Sequence, residues 1–83
     1  MRALRRYGHI AFDLPAADRV RIRVFNLRGA VVSTLLDTGL GAGQHATRWT
    51  GRDDSNRPLA AGVYFLRLEQ GVDQVTRKLV FVP

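Results

Sequence analysis

The chain has 83 residues, enough for one domain with a thin core, near the lower limit of what folds unaided. A hydrophobic fraction of 46% excludes general disorder, and the absence of cysteine excludes a disulfide framework or a thiolate metal site. Thirteen basic residues, twelve of them arginine, against seven acidic ones leave a net charge of +6, and no apolar run is long enough to span a membrane as a helix.

Such a charge attracts nucleic acid, anionic lipid or acidic glycan, but it equally serves to keep a small domain in solution. Residues 1–8 carry Arg2, Arg5 and Arg6 without a clear period and read as a basic N-terminal arm. They hold no apolar h-region, so this start is not a signal peptide. From His9 to the end, 9–83, the chain reads as one domain.

Ile10, Phe12 and Leu14 alternate with Ala11 and Asp13, which predicts a strand, and Pro15 ends it for want of an N–H. Residues 19–25 alternate most cleanly of all. Val20, Ile22 and Val24 take one face and Arg19, Arg21 and Arg23 the other, the pattern of a half-buried antiparallel strand. Residues 26–29 supply a turn in which Gly29 is free to take positive φ. The return strand is expected over 30–36.

Three glycines in residues 37–43 predict a loop between sheets. Its G-x-G-x-G spacing is not the G-x-G-x-x-G of a dinucleotide turn, and no helical pattern follows to receive a phosphate. Residues 44–50 predict a further strand, with His45, Thr47 and Trp49 on one face. After a polar loop at 51–61, Gly62 leads into a strand with Tyr64, Leu66 and Leu68 on one side and Val63, Phe65 and Arg67 on the other. Residues 70–73 form a hairpin turn, and residues 74–82 the last strand. Nothing shows the 3.6-residue period of an amphipathic helix.

Six or seven short strands with turn signals about every ten residues make the fold class all-β. No connection is long enough for a helical crossover, so the expected architecture is an immunoglobulin-like antiparallel β-sandwich.

The ordered series of motifs resembles the immunoglobulin-like domain of the flagellar hook-capping protein and the related type IX secretion C-terminal sorting domains. It comprises Ile10-Ala11-Phe12-Asp13-Leu14-Pro15, the strand ending at Val24 with Leu27-Arg28-Gly29 behind it, and Leu40-Gly41-Ala42-Gly43-Gln44-His45. Its most specific parts are Trp49-Thr50-Gly51-Arg52-Asp53-Asp54-Ser55 and Leu59-Ala60-Ala61-Gly62-Val63-Tyr64, followed by Arg77-Lys78-Leu79-Val80. Trp49, Gly51, Asp53, Gly62 and Tyr64 are thereby structural motif residues. Two positions depart from the family's habit: Thr50 stands in place of aspartate and Asn56 in place of glycine. Asparagine tolerates the left-handed region, so the turn is expected to survive. The resemblance implies a non-catalytic module for protein assembly, surface attachment or export sorting, usually the C-terminal part of a larger exported bacterial protein. Secretion or a cell-surface location follows if such a parent chain exists.

Other chemistry is weakly supported. Asp53, Asp54, Ser55 and Asn56 lack EF-hand spacing and read as an Asx-type turn. The only histidines, His9 and His45, could form a metal-assisted hydrolase with Asp53 across a dimer interface, but zinc needs three or four ligands. Neither Ser33 nor Ser55 has the context of a catalytic nucleophile. The arginine row Arg19, Arg21 and Arg23 is a possible anion-binding face for nucleic acid or an acidic polymer, with Phe25 or Phe65 as aromatic platforms. The alternative, favoured, is a solvated face paired with acidic neighbours across strands. No cofactor is implied. The expected partner is a protein or the parent chain, and edge strands in so small a domain favour a homodimer by strand pairing or exchange.

Overall fold

The computed structural model describes residues 9–83; the basic arm expected at residues 1–8 lies outside them. Six strands follow in order: β1 (His9–Leu14), β2 (Asp18–Phe25), β3 (Val31–Leu40), β4 (Gly43–Arg48), β5 (Gly62–Gln70) and β6 (Asp73–Phe81). β1 and β4 pair as a two-stranded sheet, and the other four form a second sheet in the order β3-β2-β5-β6. All pairings are antiparallel. The fold is the all-β antiparallel sandwich expected, with six strands.

Period two builds the core. Val20, Ile22 and Val24 of β2 and Tyr64, Leu66 and Leu68 of β5 point inward, where they meet Ile10, Phe12 and Leu14 from the smaller sheet. Leu79 and Phe81 of β6 and Trp49, just past the end of β4, close one end. The arginines of β2 take the outer face because a slip of one residue would bury all three.

One expected boundary moves. The 37–43 loop is mostly strand: Arg21 stands opposite Asp37, Val20 opposite Thr38, Arg19 opposite Gly39 and Asp18 opposite Leu40. Only Gly41 and Ala42 are left to cross between the sheets. Glycine weakens a strand without forbidding one, and here cross-strand arginine–aspartate pairing carries β3 onward. The register of β2 against β3 shifts between Ile22 and Arg23 and again between Val24 and Phe25.

The 51–61 loop is held by its own polar side chains. Asp53 Oδ1 accepts hydrogen bonds from the Ser55 and Arg57 amides, both at 2.9 Å, while the Asp53 amide donates to the Arg57 carbonyl. Asn56 takes φ 62°, so asparagine does occupy the left-handed position. Asp54 then fastens the loop to the edge of β3: its amide donates to the Val32 carbonyl at 3.0 Å, and its Oδ1 accepts from the Thr34 amide at 2.8 Å.

At the far end of the loop, the Tyr64 hydroxyl donates to the Ala60 carbonyl four residues upstream, at 2.6 Å. This is the device by which a tyrosine corner pins the entry to a sandwich strand. Tyr64→Phe keeps the ring but strips the Ala60 carbonyl of its donor. Urea unfolding is expected to show a loss of about 1 kcal/mol.

Candidate functional site

Three regions carry the residues singled out by sequence: the Trp49–Tyr64 end, the two histidines, and the outer face of the four-stranded sheet.

Trp49 is 1% exposed, and its ring meets Tyr64 edge-on at 5.9 Å and Phe81 at 5.3 Å between centroids. Its indole Nε1 donates to the Arg52 carbonyl at 3.4 Å. Gly51 has φ 74°, and a β-carbon there would lie 2.5 Å from Phe81 Cζ. Gly62, with φ 154°, starts β5 in open space. Trp49, Gly51 and Tyr64 therefore form one packed corner, and Asp53 shapes the loop above it. The Arg57 amide, together with that of Ser55, holds the Asp53 carboxylate below its usual range, and Arg57 Nε adds an ion pair at 3.2 Å.

The histidines do not converge. His9 stands opposite Arg48, whereas His45 stands opposite Phe12, three positions along the ladder and about 10 Å away at strand rise. Odd and even positions also put them on opposite faces of the two-stranded sheet. The His45 ring stacks on Phe12 at 5.6 Å, and its Nε2 lies 2.7 Å from the Gly41 carbonyl, closing the β3–β4 turn. Among the described residues no group of three or more His, Asp or Glu side chains could hold a metal ion. Asp53 is engaged with Ser55 and Arg57, remote in role from either ring.

The arginine row is built into a network. Arg19 bonds Asp37 at 2.8 Å, Arg21 bonds both oxygens of Glu69 at 2.9 and 3.1 Å, and Arg23 donates to Oε1 of the same carboxylate at 2.6 Å. Arg19, Arg21, Asp37, Glu69 and Gly71 line a polar depression of about 320 Å³. All three guanidinia are paired across strands, Arg19 with Asp37 and Arg21 and Arg23 with the one carboxylate of Glu69. Phe25 is no open platform either: it is 8% exposed, with Arg23 over its ring at 5.0 Å and Arg67 at 4.4 Å.

Glu69, the only glutamate of the chain, is the hub of this face. Hydrogen bonds from Arg21, then from Arg23, outweigh the opposing effect of burial and pull its carboxyl from 4.5 to about 2. A depressed folded-state value contributes stability above pH 4.5 that is lost as pH falls from there towards 2. Glu69→Gln is therefore expected to unfold more easily at neutral pH and to show a flatter stability profile between those limits. Urea midpoints measured from pH 7 to pH 2 check this, and parallel profiles for the two proteins would remove Glu69 from its role.

Residues 6–74 match the family profile of the FlgD Ig-like domain. The chain belongs to that family. The match covers the whole run from β1 to the start of β6, including the Trp49–Tyr64 corner and its loop. Among solved structures, that of FlgD from P. aeruginosa is similar over 88% of this chain, with a TM-score of 0.65 and 24% identity. At that identity the likeness speaks for the fold. This FlgD Ig-like domain spans 57% of the length of the FlgD chain it matches. No curated protein matches it.

Sequence reasoning placed the motif residues of this FlgD Ig-like domain but passed over Glu69 and Arg67. A signal for both existed. They interrupt the outward-facing alternation of β5 after Val63 and Phe65, directly across from arginines of β2. Register, which decides what they face, was not available from the pattern alone.

Proposed function

We propose that this FlgD Ig-like domain is a non-catalytic assembly module, working as part of a larger exported or surface-located bacterial protein. The observation that carries this reading is the family match across residues 6–74. The domain's span of just over half of the matched FlgD chain supports a parent protein. His45, Asp37, Asp53, Asp54 and Glu69 are committed to turns, ion pairs and the edge of β3, which leaves the module its surfaces to work with. No helix among the described residues is long and apolar enough to cross a membrane.

The homodimer belongs to the same proposal, by way of β6. The two edges of the larger sheet differ: β3 is occupied by Asp54 at Val32 and Thr34, while β6 carries Val80, 55% exposed, with Val82 beyond it. Pairing β6 with its copy brings Arg77 and Lys78 of each strand together. Dimerisation is therefore expected to strengthen with salt, and sedimentation equilibrium that finds a monomer in both low and high salt removes it.

The assembly reading is tested by fractionating the native host with an antibody raised against this domain. Recovery in a high-molecular-mass complex of the exported or surface fraction is the expected result. Recovery only as a free cytoplasmic chain with a measurable turnover of substrate would overturn it.

A further inference from the structure

We propose that the outer face of the four-stranded sheet docks an acidic segment of a partner protein, with Arg67 taking a carboxylate and the groove beside it an adjacent apolar side chain. This rests on the assembly-module reading and names the surface that would serve it.

Register makes Arg67 unusual. Arg23 and Arg67 stand directly opposite each other in β2 and β5, a like-charge pair that antiparallel sheets normally avoid. Glu69 relieves Arg23, but among the described residues no carboxylate reaches Arg67. Its guanidinium carbon lies 4.4 Å from the centre of the Phe25 ring, and its Nε, like that of Arg23, is buried without a hydrogen-bond partner. That Nε is closed off, but neither terminal nitrogen of Arg67 has a hydrogen-bond partner among the described residues and neither is buried, so these are the donors left for an incoming carboxylate. A planar guanidinium held by an aromatic ring is already positioned for a carboxylate.

The neighbouring surface supplies the rest. Phe25, Leu27, Phe65, Arg67 and Thr76 line a groove of about 270 Å³. Leu27, at the β2–β3 turn, is 70% exposed beside it, and Lys78 stands opposite Phe65 on the far side. Buried aromatics with arginine are the composition of energetically dominant interface centres. Charge selects the occupant. Asp37 and Glu69, the carboxylates of this face, are already held by Arg19, Arg21 and Arg23, so what remains is cationic. A second copy at +6 and the chain's own residues 1–8, with three arginines, both carry the wrong sign. An acidic segment with an apolar side chain next to its carboxylate has the right one.

The test is an amide NMR titration of the whole chain with acetyl-Gly-Glu-Leu-Glu-Gly-amide, and with the same peptide carrying Gln for Glu. Saturating shifts are expected at Leu27, Phe65, Arg67 and Thr76 with the first peptide and not the second. Arg67→Gln is expected to weaken binding about tenfold, the cost of one charge-assisted hydrogen bond. Leu27→Ser, a change on the exposed turn that leaves the core intact, should weaken it several-fold. Four outcomes overturn the proposal: no saturation up to about 10 mM, equal response to both peptides, shifts centred on Arg19 and Arg21, or unchanged affinity in Arg67→Gln. Preferential binding of oligo(dT) at the groove overturns it in favour of a nucleic-acid partner. The functional reading fails separately: a protein that enters no assembly but binds the peptide refutes that reading, while an assembled protein with a silent groove refutes only this surface.

Discussion

Gly51→Ala is expected to destabilise the domain by about 2–5 kcal/mol, although it adds one methyl group. Two causes act together. Gly51 has φ 74°, a conformation that costs an L-residue about 1–2 kcal/mol. The new methyl would also stand 2.5 Å from Cζ and 2.6 Å from Cε1 of Phe81, so the ring must move. Phe81 cannot swing aside cheaply, because it is 5% exposed and packed against Trp49 and Tyr64. Overpacking of this kind costs about 1–3 kcal/mol. Gly29→Ala is the control: φ is 82°, but nothing lies within 4 Å of the added carbon. It should lose only the backbone share. Thermal unfolding, followed by the emission of the single tryptophan, separates the two. Equal losses would show that Phe81 does not pack where the structure puts it.

Trp49→Ala is expected to cost about 3–5 kcal/mol, the usual range for truncating a buried large aromatic. Set against a total stability of roughly 4–12 kcal/mol for a domain of this length, that brings the protein to the edge of unfolding. Trp49 is the largest fully buried side chain, and it joins the end of the two-stranded sheet to Tyr64 and Phe81 of the four-stranded one. Removing it opens a cavity between layers that have little else to hold them at that corner. Trp49→Phe should lose less than half as much, since it retains a ring against Tyr64 and Phe81 and gives up mainly the bond to the Arg52 carbonyl. Circular dichroism in urea, which does not need the indole, measures both. A Trp49→Ala protein with near-native stability would mean that the two sheets are joined elsewhere.

Both predictions place the 51–61 stretch within the architecture. Asp53 folds the loop on itself, Asp54 ties it to β3, and Gly51 lets the chain pass close under Phe81. The departure at Asn56 is absorbed because asparagine takes the left-handed conformation that glycine would otherwise supply. The motif thus marks the family through the shape it forces on the backbone. The surface that remains for a partner is elsewhere, over the outward side of β2, β5 and β6.

Strand identity and facing were determined by the sequence itself. Val20, Ile22 and Val24 against Arg19, Arg21 and Arg23, and Tyr64, Leu66 and Leu68 against Val63, Phe65 and Arg67, read correctly because a period of two is local to each strand. The turn at Gly29 and the left-handed Asn56 were legible for the same reason: both are properties of a few consecutive residues. Where β3 ended was not. Asp37, Thr38 and Gly39 look like loop residues alone and become strand only because β2 lies alongside them. The outer face was hidden for a related reason. That Glu69 joins Arg21 and Arg23, that Arg67 faces Arg23, and that Phe25 is roofed by two guanidinia all depend on the register between strands over forty residues apart. Alternation tells a side chain which face to take; only the pairing of distant strands decides which charges meet on it.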